Sequence, residues 1–182
     1  MEQKDYKWEI LLELLKNENH IRGLAKSLNT NHMVMVRKIK ELSNANVVDY
    51  TLKGKNKVYS LKKNIETRMH VFMAENYKLL KILKKYPYLR GVIEKIQKNK
   101  EAKLAILFGS HTKEIARSDS YIDIYIETTN NKLKKEIEKI STKISLKIGK
   151  YDKSNFLIKE IDKNHAIIKG IEKYYEKKGF FD

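Results

Sequence analysis

Hydrophobic residues in the first third of the chain recur at helical spacing. Trp8, Leu11, Leu12 and Leu15 form one stripe, Ile21, Leu24, Ala25 and Leu28 a second, and Met35, Ile39 and Leu42 a third. Three short helices are predicted. Asn29-Thr30-Asn31 between the second and third suits a tight turn ending in an N-cap. The pattern then turns β-rich over 47–52 and again over 58–61. The segment Lys53-Gly54-Lys55-Asn56-Lys57 lies between them, so a hairpin with a basic tip is expected. Met69, Phe72, Met73, Leu79, Leu80 and Leu83 predict a long helix over 66–85 that stops near Pro87, with a further amphipathic helix over 88–98. From residue 103 strands and helices alternate: a strand over 103–108, a Gly-Ser turn leading into a helix or loop, and a strand over 122–127. A helix over 131–142 and a strand over 144–148 follow, then a helix near 156–163, a strand over 166–169, and a last helical turn through Tyr174 and Tyr175. The expected class is α+β, in three parts: 1–65, a helical connector over 66–100, and an α/β unit with a mixed sheet over 101–182.

Composition narrows the partners. The 182 residues carry 39 Lys and Arg against 23 Asp and Glu, a formal net charge of +16, and 41% are hydrophobic. That is enough apolar material for a real core, and the charge makes a polyanion the first partner to test. A genome biased toward lysine would produce part of the same excess. There is no cysteine, which excludes disulfides and thiolate metal sites. Apolar runs such as Leu104 to Phe108 fall far short of the ~20 residues that cross a bilayer, and no signal-peptide core stands at the N-terminus. A cytoplasmic protein with no membrane partner is expected.

Three helices followed by a basic hairpin, over roughly 6–65, resemble the winged helix-turn-helix regulators. Small Ala25 stands where that family brings two helices close, and the turn follows at the right interval. The resemblance implies that the third helix enters the major groove of duplex DNA while the hairpin lies against the backbone or minor groove. With Met35, Ile39 and Leu42 turned to the core, Asn31, His32, Arg37 and Lys40 fall on outward or flanking faces, and Lys53, Lys55 and Lys57 add phosphate-directed charge. Met33, Val34 and Val36 depart from the family, which more often carries polar base-readers there. Contact with thymine methyls is one use for them, and packing against a protein or dimer mate is another. The helix over 66–85 is a candidate for joining two copies as a homodimer.

The run Leu104-Ala105-Ile106-Leu107-Phe108-Gly109-Ser110, followed by Ser120-Tyr121-Ile122-Asp123-Ile124, resembles the minimal nucleotidyltransferases of the DNA polymerase β superfamily, over about 103–170. In that family a Gly-Ser turn approaches a triphosphate, and two carboxylates at i and i+2 of a strand share one face and hold Mg²⁺. The resemblance implies that Gly109, Ser110 and Lys113 bind ATP or another nucleoside triphosphate, and that Asp123 is the remaining catalytic and metal-ligating acid. Here Tyr121 stands in place of the first acid. Asp119 is four residues from Asp123, roughly 13 Å along an extended strand, too far to substitute. The later strand that supplies a third acid in the family offers only Ser145 and Lys147. His165 is expected to make ordinary hydrogen bonds, since no two histidines fall at a metal-ligand spacing.

Two functional readings follow. One is a DNA-binding regulator whose nucleotidyltransferase-like domain is catalytically impaired and binds a nucleotide or a protein partner. The other is an active Mg²⁺-dependent transferase, targeted by its winged helix, that moves AMP onto a protein; in relatives such domains pair with a small helical toxin.

Overall fold

A computed structural model describes residues 4–182, which divide into two compact units. One comprises residues up to Tyr77 together with Phe181 and Asp182, and the other spans Lys78–Phe180.

The first unit is a winged helix. It runs α1 (Tyr6–Leu14), β1 (Asn19–His20), α2 (Ile21–Ser27), α3 (His32–Asn44), β2 (Val48–Lys53), β3 (Asn56–Leu61) and the start of α4 (Ile65–Lys85). Asp5 caps α1 by accepting from the Lys7 amide, and Asn31 caps α3 by accepting from the Met33 amide at 2.7 Å. Asn29 takes the left-handed conformation that the turn between α2 and α3 requires. The three strands lie antiparallel in the order β1-β3-β2. Two-residue β1 was absent from the sequence reading, because so short a strand has no periodicity to detect. The stripe expected on α1 is also rotated: Ile10, Leu11 and Leu14 are buried, and Trp8 and Leu12 flank them. The Thr67 hydroxyl on α4 donates to the Val47 carbonyl at 3.0 Å, and Ala74 joins the core of this unit.

In the second unit a 3₁₀ turn (Pro87–Leu89) leads into α5 (Arg90–Lys98). Then follow β4 (Ala105–Phe108), β5 (Ile122–Glu127), α6 (Asn131–Glu138), β6 (Ile144–Gly149), α7 (Phe156–Lys163), β7 (His165–Lys169) and α8 (Ile171–Lys178). The sheet order is β6-β5-β4-β7, with β5 and β6 parallel and the other pairs antiparallel, so the sheet is mixed. Alternation along each strand sorts the side chains by face. Ile122, Ile124 and Ile126 join Leu107, Ile144 and Leu146 in one core with Val92, Ile93 and Ile96 of α5 and Leu133 and Ile137 of α6. Asp123, Tyr125 and Glu127 alternate to the other face, where Glu127 takes Lys173 at 2.8 Å and Lys177 at 2.7 Å from α8.

Of the helix or loop expected after Gly109-Ser110, the structure has successive turns, with Glu114 at positive φ among them. Two elements differ from the sequence reading. α6 ends at Glu138 instead of near 142, because Ser141 and Thr142 belong to a turn in which the Ile144 amide donates to the Ser141 carbonyl. The last helical turn is instead the eight-residue α8, which buries Tyr174 and Tyr175.

Candidate functional site

On the winged helix, α3 and the hairpin present the predicted contact residues. His32, Arg37 and Lys40 are exposed along α3, and Met33 is 67% exposed near its N-terminus. Asn31 is exposed too, but its carbonyl oxygen is committed to the cap. Val34 packs against the core, which removes it from the outward face. The hairpin closes with Lys53 opposite Asn56, and Gly54 supplies the left-handed turn position. Its lysines differ in their surroundings. Lys53 is ion-paired with Glu18, the Lys57 ammonium lies 4.1 Å from the centre of the Tyr50 ring, and Lys55 is exposed at the turn.

The second unit holds a cleft of about 530 Å³ lined by Ser110, Ser120, Tyr121, Asp123, Glu138, Ile144 and Ser145. Sheet register builds its floor. Asp123 sits beside Phe108 on β4 and beside Ser145 on β6. Partial burial pushes the Asp123 carboxyl above the usual carboxylate range, against the pull of Ser145, His111 and Lys147. Gly109 has φ +76°, and a Cβ placed on it would overlap Asp123 Oδ2. The glycine thus admits the carboxylate under the turn, which ties the two motif residues together physically. Gly109→Ala is expected to cost about 1–3 kcal/mol from the positive φ and the overlap combined, measured as a lowered denaturation midpoint for this unit.

Tyr121 precedes β5 and is 63% exposed, so its ring lines the cleft without filling it. Lys113 is exposed on the turns after Ser110 and Asp119 is exposed ahead of β5; neither lines the cleft. With successive turns after Ser110, no helix N-terminus stands at this turn to favour phosphate. Behind it, His111 is fully buried with Nε2 2.8 Å from the Tyr88 hydroxyl, and burial holds its pKa below the ordinary value. The Thr112 hydroxyl lies 3.0 Å from the Gly109 carbonyl and 3.1 Å from that of Asn164. His165 is buried with Nδ1 3.1 Å from the Ile161 carbonyl.

Glu138 and the Tyr88–His111 pair had no part in the sequence reading. Glu138 reaches the cleft from the end of a helix, a position with no motif spacing to betray it.

The donor set does not fit a pair of magnesium ions. Two ions about 3.5–4 Å apart need several carboxylates shared between them. Among the described residues no three His, Cys, Asp or Glu side chains gather as metal ligands. Asp123 has Ser145 where the family brings an acid, and Lys147 follows on the same strand face.

Residues 91–174 match the family described as Polymerase beta, Nucleotidyltransferase. The second unit therefore holds a nucleotidyltransferase-like domain. The crystal structure of the adhesin competence repressor AdcR from Streptococcus pyogenes aligns over 52% of this chain and 76% of its own, at 17% identity and a TM-score of 0.35, a likeness too slight to define the fold. A comparison with curated proteins gives no match. No helix among the described residues is long and apolar enough to cross a membrane.

Proposed function

We propose that this protein is a DNA-binding regulator whose nucleotidyltransferase-like domain is a ligand-binding module impaired in nucleotidyl transfer. The observation that carries the reading is that the sheet positions flanking Asp123 hold no partner acid. Tyr121 stands at its i−2 position, Ser145 is its neighbour across the parallel pair, and no third acid joins it as a metal ligand among the described residues. In-line transfer between phosphates needs positive charge fixed on both the attacking and the leaving oxygen, and this donor set offers no shared carboxylates to hold it. The winged helix supplies the output, with an exposed α3 face and a hairpin carrying three lysines. Duplex DNA is its proposed partner.

The competing reading is a Mg²⁺-dependent transferase that moves AMP onto a protein partner. It draws on Glu138, which brings a second carboxylate to the cleft, and on the exposure of Tyr121, which leaves the cleft open. Incubating the full chain with Mg²⁺ and ATP labelled in the α-phosphate separates the two. The regulator reading expects no label on the protein or on proteins of the source cell's extract. Label that disappears with Asp123→Ala would establish the transferase instead.

A further inference from the structure

The cleft is unusual for a chain of this charge. On a protein with net charge +16, its lining includes two carboxylates, Asp123 and Glu138, and no lysine, arginine or histidine. A triphosphate laid against that lining would meet like charge, and the donor set gives no metal pair to offset it. The part of any ligand that enters must instead bring N–H donors. The remaining lining agrees: three serine hydroxyls, the apolar edge of Ile144, and a tyrosine ring whose exposure leaves it open to stacking.

The surroundings restrict the ligand further. A cationic amine would satisfy the carboxylates, but it must approach a strongly basic protein. Lys147 is exposed on β6 two residues beyond Ser145, and its charge acts on Asp123. Lys143, just ahead of β6, is exposed as well. A ligand with a neutral, donor-bearing ring at one end and an anionic tail at the other suits both zones.

Building on the proposed regulator reading, we infer that this cleft binds a nucleotide base-first and without metal. Tyr121 stacks on the base, Asp123 accepts from its amino-bearing edge, and the phosphate points outward toward Lys147. The exchange of the motif's first acid for tyrosine then converts a metal ligand into a base platform. Guanine suits the carboxylate best, because it offers two adjacent N–H donors to two oxygens. Uracil suits it worst, because two carbonyls flank its single N–H.

The test is calorimetric titration of the full chain in EDTA with GMP, AMP, CMP and UMP, and with inorganic tripolyphosphate as a phosphate-only probe. GMP is expected to bind at least about tenfold tighter than UMP. Tyr121→Ala should weaken GMP about tenfold or more while Tyr121→Phe retains it, since stacking needs the ring and not the hydroxyl. Tyr121 is largely exposed, so neither variant threatens the fold. Asp123→Asn should erase the preference for GMP over UMP.

The inference is overturned if no mononucleotide titrates, if UMP and tripolyphosphate bind as tightly as GMP, or if Tyr121→Ala changes nothing. Its failure is distinct from failure of the regulator reading, which is tested by transfer of labelled nucleotide in the presence of Mg²⁺ and by affinity for duplex DNA.

Discussion

Glutamate at Lys53, Lys55 and Lys57 together should lower affinity for duplex DNA on the order of a hundredfold at low salt, by the same factor on unrelated sequences. Hairpin lysines are point charges without base-reading geometry, so their contribution is release of condensed counterions, which carries no sequence information. Each phosphate contact contributes about −0.9 to the slope of log affinity against log salt, so losing three should flatten that slope by about three. The singles should not be equal. Lys53 is already ion-paired with Glu18 and Lys57 lies over the Tyr50 ring, whereas Lys55 stands exposed at the turn beside Gly54. Lys55→Glu should therefore show the largest loss that tracks salt alone. Lys57→Glu should also disturb the hairpin, because it removes the cation from Tyr50. Gel-shift titrations at two salt concentrations read both effects. Unchanged affinity in the triple variant would mean that the exposed face of α3, with Met33 near its start, docks on protein and not on DNA.

How much of this was legible beforehand depends on the scale at which each feature is encoded. α3 could be placed from Met35, Ile39 and Leu42, because an amphipathic stripe repeats within one element and Asn31 announces its start; all three stripe residues are buried. The strand carrying Asp123 was legible for a similar reason, since Ile122, Ile124 and Ile126 alternate with it and pack on the helix-covered face. α1 misled because Trp8, Leu11, Leu12 and Leu15 satisfy a helical spacing as well as Ile10, Leu11 and Leu14 do, and only packing against the neighbouring helices selects between them. The turns after Ser110 were ambiguous because their order comes from Thr112 reaching the Asn164 carbonyl, a partner 52 residues away. The cleft was half legible. Gly109, Ser110 and Asp123 follow a spacing, but Glu138 joins them only once α6 has packed on the sheet. The contact between Gly109 and the Asp123 carboxylate is likewise a product of strand register.

The largest loss of stability is expected from Asp162→Ala, at about 3–5 kcal/mol, seen as an early transition of the second unit in chemical denaturation while the winged helix melts separately. Asp162 on α7 accepts from the Tyr151 hydroxyl at 2.7 Å and from the Tyr174 hydroxyl at 2.9 Å, and its other oxygen takes the Lys178 ammonium at 2.8 Å. Tyr174 is 2% exposed, and burial followed by the Asp162 charge pushes its phenol far above the ordinary value, so the hydroxyl stays a donor at every working pH. Removing the carboxylate strands two partly or fully buried hydroxyls and an ammonium at once, and an unsatisfied buried donor costs more than a made bond returns. Asp162→Asn should lose roughly half as much, because the amide oxygen still accepts from one tyrosine while the ion pair is gone. The effect should reach the cleft along the chain. α7 runs into β7 through Asn164, β7 pairs with β4 at Phe108 opposite His165, and Phe108 precedes Gly109. A loosened α7 therefore releases the Thr112 hydrogen bond to Asn164 that orders the Gly109–Thr112 turn, and Asp162→Ala should weaken any ligand of the cleft without touching it. Asp123→Asn should do the opposite on stability. The Asp123 carboxyl is held above its ordinary range, so its ionised form costs stability once the pH rises through that range, and the neutral amide removes the cost at pH 7 but not in acid. A melting point raised by Asp123→Asn at neutral pH, beside one lowered by Asp162→Ala, would separate a carboxylate that serves the cleft from one that holds the fold.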